Sequence, residues 1–243
     1  MGISARLRRG CPCPSCTLTA PVLGSRQLSD DDCRVCGRGK PDFFMQVDGM
    51  DYLLCLRCQA TLMAVANLPD PVTESKQYRL HRNDIADPGY RRFVARVVDP
   101  LSKCLPPGAD GLDYGCGPGP VGAAMLREQG FAITQYDPLF AFNPVALAYE
   151  YDFILCSEVF EHFHQPSREL DTLDGLLKPG GILAVMTGFE RPERDFATWH
   201  YRRDPTHVVF YRPATFECLV RDRGWSVSFP ADDVALLKKP AER

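Results

Sequence analysis

The chain has 243 residues, 45% hydrophobic and 24% charged, enough for one sizeable core and a small appendage. A net charge of −3 excludes a general attraction to nucleic acid or an acidic membrane, and no apolar run reaches the length of a bilayer span. The eleven cysteines follow no secretory signal, because Arg6, Arg8 and Arg9 lead into no apolar stretch; a cytoplasmic protein whose cysteines meet metal rather than each other is expected.

Residues 1–30 are poor in large apolar side chains and read as a loose tail. Cys11, Cys13 and Cys16 lie in it without a clearly spaced fourth partner, so free thiols are expected there. Residues 31–68 are different. Cys33-x-x-Cys36 and Cys55-x-x-Cys58 are separated by eighteen residues, a spacing suited to a four-thiolate zinc site. Between the pairs, residues 43–47 and 51–54 read as strands joined at Asp48-Gly49, a hairpin signal. The expectation is a zinc ribbon with Cys33, Cys36, Cys55 and Cys58 as ligands. Its site would be closed and structural, and the metal would hold together a module too small for its own core.

Prolines 69 and 71 break the chain, so residues 69–87 read as a linker. Tyr78, His81, Arg82, Asn83 and Asp84 make it either a solvated connection or a lid. Residues 88–243 form the main domain. Pro88 starts a helix whose Phe93, Val97, Val98 and Leu101 recur at helical spacing.

Leu112-Asp113-Tyr114-Gly115-Cys116-Gly117-Pro118-Gly119-Pro120 then reads as a buried strand end, a glycine turn and the start of a helix. Gly115, Gly117 and Gly119 remove side chains where a ligand touches backbone. Gly117-x-Gly119-x-x-Gly122, with Asp137 beyond it, also fits a dinucleotide fingerprint. The chemistry argues otherwise. A pyrophosphate wants amide donors at a helix N-terminus, and Pro118 and Pro120 each remove one. Asp113 sets a carboxylate beside the turn, and no Lys or Arg appears before Arg127. A cationic ligand without phosphate suits this loop, and S-adenosylmethionine has that chemistry.

Residues 131–136 read as the second strand, with Asp137 at its end as an acceptor for ribose hydroxyls or as a turn residue before Pro138. Residues 145–147 are a candidate third strand. Residues 151–156 are a buried fourth strand that turns into a helix at residues 157–162. On that helix Glu158, Glu161 and His162 would share one face. A helix ends in Lys178-Pro179-Gly180-Gly181 and a fifth strand follows at residues 182–186. Residues 196–211 are aromatic and charged, and Asp204-Pro205-Thr206-His207 brings His207 toward the strand ends. This stretch suggests either contacts to a flat anionic substrate or a loop folded on its own aromatics. A helix stopped by Gly224 and a final hairpin close the chain.

LDYGCGPG, FAITQYD, YDFILCSEVFEH and LLKPGGILAVMT, in this order and spacing, resemble the class I S-adenosylmethionine-dependent methyltransferases. The resemblance implies a Rossmann-like, doubly wound α/β sheet of seven strands, the last antiparallel. It implies a cofactor site at Asp113, Gly115, Cys116, Gly117, Gly119, Asp137 and Glu158. No residue matches the acidic adenine contact the family places after its third strand. Quinol O-methyltransferases have a similar Glu-x-x-Glu-His stretch linked to a divalent ion; here an acidic helix start would also suit the helix dipole.

Methyl transfer from a sulfonium mainly needs alignment, and a base only where the acceptor carries a proton. His162 and His207 are the candidate bases. A small-molecule acceptor is expected. The alternatives are an RNA or protein substrate gripped by the ribbon, a nicotinamide-dependent oxidoreductase, and a noncatalytic scaffold.

Overall fold

A computed structural model describes residues 32–80 and 83–241. The expected tail with Cys11, Cys13 and Cys16, and His81 and Arg82 of the linker, lie outside the described residues.

Strands β1 (Pro41–Val47) and β2 (Met50–Cys55) form the expected antiparallel hairpin. Asp48 and Gly49 at its tip have φ of 53° and 79°, the left-handed pair that a two-residue hairpin turn requires. A third strand, β3 (Thr61–Met63), pairs with β2. Helix α1 (Pro71–Tyr78) follows, capped by the Asp70 carboxylate on the Thr73 amide. Helix α2 (Pro88–Ser102) is capped in the same way by Asp87, whose carboxylate accepts from the Gly89 and Tyr90 amides.

The main sheet begins with β4 (Asp110–Tyr114), α3 (Val121–Glu128), β5 (Ala132–Tyr136) and β6 (Tyr151–Ser157). It continues through α4 (Pro166–Leu176) and β7 (Leu177–Met186). After the two-residue β8 (Val209–Phe210) come α5 (Pro213–Arg223), ended by Gly224 at φ 68°, and the hairpin β9 (Ser226–Ala231) and β10 (Val234–Lys238). The strand order is β5-β4-β6-β7-β10-β9, with β10 antiparallel to both neighbours.

Alternation along the central strands explains the two helical layers. Phe153 and Leu155 of β6, with Ile182, Ala184 and Met186 of β7, pack under Val94, Val97, Val98 and Leu101 of α2 and Leu126 of α3. Ile154 and Cys156, with Leu183 and Val185, face the other side, toward Leu170 and Leu173 of α4 and Phe216 and Leu219 of α5. Each fully buried Val, Leu, Ile, Phe or Met among them contributes about 1.5–3 kcal/mol of transfer free energy.

Three expectations need correction. The sheet has six strands among the described residues, not seven. Residues 145–147 lie inside a 3-10 turn, Pro144–Ala148, and Pro144, at its first position, has no amide for a ladder. The segment after β6 is not an α-helix but a single 3-10 turn, Phe160–His162. Glu158 takes φ 54°, so it leaves the helical face shared by Glu161 and His162.

The cysteine-rich hairpin is built into the main body. β8 pairs with β3, and Tyr52, Phe196, Trp199 and Phe210 form one buried aromatic group. Arg34 is buried and donates to the His164 and Met63 carbonyls. Arg57 makes two 2.8 Å bonds to Asp222 of α5. Arg202 donates to Asp48 at 2.7 Å.

Candidate functional site

The glycine turn after β4 lies at the carboxyl edge of the parallel strands. Gly115 and Gly117 have φ of 77° and 62°, a region that favours glycine. A side chain at Gly119 would meet the Asn83 carbonyl oxygen at 1.8 Å, so the linker lies directly against the turn.

The turn's amides are largely engaged. Gly115 and Cys116 donate to the Tyr136 carbonyl, at 2.8 and 3.2 Å. Gly117 donates to Asp137 Oδ2 at 2.9 Å, and Val121 donates to the Gly119 carbonyl at 2.8 Å. Pro118 and Pro120 have no amide hydrogen. Few donors therefore remain for a pyrophosphate.

Asp137 is buried and serves as a bracket. Its Oδ1 accepts from the Leu139 and Phe140 amides at 2.8 and 2.9 Å, while Oδ2 holds Gly117. The carboxylate thus ties the end of β5 to the glycine turn. Asp113 is buried beneath the turn, and burial pushes its carboxyl up to about 7, against a smaller pull downward from the Ala123 amide. Burial, then Asp113, pushes the Cys116 thiol up to about 12, so it is not a nucleophile at neutral pH.

A cavity of about 880 Å³ opens beside the turn, lined by Gly115, Cys116, Gly117, Asp137, Glu158, His162 and His207 among others. Tyr78, Tyr90, Tyr114, Tyr136, Phe140 and Phe163 give it aromatic walls. Among the described residues its lining includes Glu74, Asp137, Glu158 and Glu169 but no Lys or Arg. Burial first, then the neighbouring Glu161, pushes the Glu158 carboxyl well above the usual range.

Helix α1 forms one side of the mouth. Its Glu74 meets His164 Nε2 at 2.9 Å, and the Tyr78 ring stands edge-on to His162 with centroids 5.2 Å apart. Across the cavity the Tyr114 hydroxyl donates to Glu169 at 2.9 Å.

His162 and His207 come together, with ring centroids 4.8 Å apart. His162 Nδ1 lies 2.9 Å from the Thr206 carbonyl, and His207 Nδ1 lies 2.7 Å from that of Tyr201. A carbonyl only accepts, so Nδ1 carries the proton in each ring; in the neutral ring Nε2 keeps its lone pair. Burial lowers the His207 pKa, which favours that neutral form.

Two features depart from what the sequence led one to expect. The first is Glu161, fully buried at 0% exposure. Its Oε2 accepts from Thr187 at 2.7 Å, while its Oε1 is buried without a hydrogen-bond partner. The sequence marked it only as part of the Glu158, Glu161, His162 stretch, which gives no sign of its full burial. The second is the fate of residues 196–211. Their aromatics pack inward, Arg202 is tied to Asp48, and of this stretch only His207 borders the cavity. Of the two readings of this stretch, the self-packed loop is the one seen, and no arginine of it lines the cavity among the described residues.

The four cysteines of the hairpin converge on one another, and none of them lines this cavity. Cys33 and Cys58 sulfurs are 3.7 Å apart and those of Cys36 and Cys55 are 3.9 Å apart, with no disulfide. Four thiolates about 2.3 Å from a tetrahedral zinc are separated by about 3.8 Å, so the donor set is compatible with that ion. Two knuckles hold the sulfurs: Gly37 N donates to the Cys33 carbonyl, and Gln59 N to that of Cys55.

A methyltransferase-domain family model matches residues 86–228, more than half of the chain. No curated protein matches it. Among solved structures, the Burkholderia thailandensis 1,6-didemethyltoxoflavin-N1-methyltransferase, with bound 1,6-didemethyltoxoflavin and S-adenosylhomocysteine, is similar at TM-score 0.50 and 15% identity. The match covers 83% of this chain and 100% of that one. At that identity the match speaks to the fold. CalO1, a methyltransferase of calicheamicin biosynthesis, is similar at TM-score 0.46 and 15% identity, over 61% of this chain and 54% of its own. An O-methyltransferase family protein from B. thailandensis gives 0.46 and 15%, over 70% of this chain and 64% of its own. The chain thus spans less than two thirds of the length of these last two.

Proposed function

The chain belongs to the methyltransferase-domain family, and on that premise we propose that it moves the methyl group of S-adenosylmethionine to a small, flat, uncharged or cationic acceptor held in the aromatic cavity. The observation that carries this reading is the cavity itself. It is continuous with the glycine turn, and its volume lies near the upper end for small-molecule sites, room for a cofactor and a compact partner. Its lining, acidic and without Lys or Arg among the described residues, favours a sulfonium donor and disfavours an anionic acceptor.

Asp113, Gly115, Cys116, Gly117, Gly119, Asp137 and Glu158 would hold the cofactor, with the one acceptor site of Asp137 that no amide fills, on Oδ2, offered to the ribose. When bound, the cofactor supplies an electrophilic methyl whose leaving group is a neutral thioether, so the sulfur keeps both electrons of the broken bond. The protein's part is to align the acceptor and exclude water, with α1 and Asn83 as a lid. His162 or His207, through Nε2, would take the acceptor's proton where it has one.

Zinc on Cys33, Cys36, Cys55 and Cys58 would be structural, since all four positions are protein thiolates. The ribbon's arginines favour that role over gripping a macromolecule. Arg34 is buried against carbonyls and Arg57 is committed to Asp222, so of the four cations between Cys33 and Cys58 only Arg38 and Lys40 are exposed, few for tracking phosphates. The engaged amides of the turn count against the nicotinamide reading.

The test is transfer of isotope-labelled methyl from S-adenosylmethionine to a panel of phenols and nitrogen heteroaromatics. Label should enter neutral planar compounds and not acidic ones, and His162→Gln should slow transfer more than it weakens cofactor binding. Label entering only RNA or protein would overturn the small-acceptor reading.

A further inference from the structure

Arg34 sits inside the first cysteine knuckle, between Cys33 and Cys36, yet its side chain reaches into the loops of the main domain. It is buried, and its two terminal nitrogens hold two carbonyls at once. Nη1 donates to the His164 carbonyl at 2.9 Å and Nη2 to the Met63 carbonyl at 2.5 Å. A buried guanidinium is costly unless its donors are met, and its planar fork accepts only a narrow geometry. The two carbonyls are therefore fixed relative to each other.

Each carbonyl belongs to a segment tied to one of the cavity's two paired histidines. His164 lies two residues after His162, and both line the cavity. The Met63 amide donates to the Val208 carbonyl at 2.9 Å, and Val208 directly follows His207. The Val208 amide in turn donates to the Glu161 carbonyl at 2.8 Å, which closes the circuit beside His162. The Arg34 backbone adds a further tie. Its carbonyl accepts from the Ser167 amide at 2.9 Å, in the first turn of α4, where Gln165 gives no side-chain cap. One residue of the ribbon thus holds from behind both segments that present His162 and His207 to the cavity.

We propose that Arg34 is a positioning residue for the acceptor side of the cavity, setting the distance and orientation between His162 and His207. Arg34 does not line the cavity itself. The glycine turn is held by Asp137 and the Tyr136 carbonyl, not by Arg34, so the two halves of the site should respond separately. The consequence for turnover rests on the methyl-transfer reading, whereas the placement of the histidines does not.

The test is Arg34→Met, which keeps much of the side chain's length without its donors, beside Arg34→Lys, whose single ammonium cannot reproduce the fork. In full-length protein the imidazole NMR signals of His162 and His207, assigned with His162→Gln and His207→Gln, should shift in Arg34→Met and shift less in Arg34→Lys. The S-adenosylhomocysteine Kd should stay within about twofold of the parent's, as for an uncoupled site. Turnover on the panel of phenols and nitrogen heteroaromatics should fall about tenfold to a hundredfold at saturating cofactor in Arg34→Met. Imidazole signals matching the parent's in the folded variants, or turnover unchanged, would overturn the proposal. Zinc content below the parent's, or loss of folding, in Arg34→Lys would also overturn it, by making Arg34 a residue of the fold alone. Shifted imidazole signals in a protein that binds no S-adenosylhomocysteine would retain the role of Arg34 and discard the methyl-transfer reading.

Discussion

Asp137 is the most informative single position, because one carboxylate holds the turn together and faces the cavity. Asp137→Ala takes the acceptor from three backbone amides, those of Gly117, Leu139 and Phe140, at 2.8–2.9 Å. A net hydrogen bond contributes about 1 kcal/mol, and the vacated space borders a cavity that water can enter, so the expected loss is about 1–3 kcal/mol. For a protein of this size that lowers the unfolding temperature by roughly 2–12 °C. Loss of a charged acceptor for ribose hydroxyls should cost about 1.5–3 kcal/mol more in binding, a 10- to 150-fold rise in the S-adenosylhomocysteine Kd. Asp137→Asn separates the two effects. Its oxygen still serves Leu139 and Phe140, whereas its amide group and lost charge act against the ligand. Because the Asn amide nitrogen cannot accept from Gly117, calorimetry with S-adenosylhomocysteine, paired with thermal unfolding, should show Asn between wild type and Ala in stability and close to Ala in affinity. Wild-type affinity in both variants would refute the ribose role, leaving Asp137 as a turn bracket alone.

The remaining predictions concern the buried acid, the turn and the metal. Asp113 is raised to about 7 in the fold against an ordinary 3.8, so folding favours its neutral form. The stability it lends is complete below pH 3.8 and is lost as pH rises through about 7, by up to about 4 kcal/mol. Urea midpoints from pH 4 to 8 should therefore fall more steeply in wild type than in Asp113→Asn; parallel curves would exclude a neutral Asp113. Gly119→Ala drives a methyl into the Asn83 carbonyl, so the linker should be cleaved faster by protease and S-adenosylhomocysteine affinity should drop, with little change in unfolding temperature. Unaltered cleavage and affinity would mean that the linker does not close the site. Cys55→Ser should lower the zinc retained through dialysis by one per chain and destabilise the hairpin by several kcal/mol. A zinc content indifferent to that change would remove the ribbon assignment.

Much of this architecture was legible because short-range chemistry dictates it. Asp48-Gly49 could only be a tight hairpin turn, and Gly224 could only end a helix. The alternating apolar residues of β6 and β7 needed helices on both faces. The seventh strand was misread because Val145 and Leu147 have strand-like side chains, but Pro144 and a bracket of amides on Asp137 bend the chain first. The face shared by Glu158, Glu161 and His162 assumed α-helical φ at Glu158, and a single positive φ removed it. Composition left residues 196–211 open between facing a substrate and folding on their own aromatics, and the structure shows the second. Their burial depends on strand β8 reaching back to β3, a contact between residues about 150 positions apart that no local pattern announces. The meeting of Glu161 with His207 is of the same long-range kind.

The central claim is that the proline-interrupted turn, with its amides engaged and its acids alongside, receives a sulfonium nucleoside rather than a dinucleotide. Equilibrium titration of the full chain with S-adenosylhomocysteine and with NAD tests it most directly. The expected result is one S-adenosylhomocysteine bound per chain, displaced by S-adenosylmethionine and untouched by NAD. Tight binding of NAD with no uptake of S-adenosylhomocysteine would contradict it.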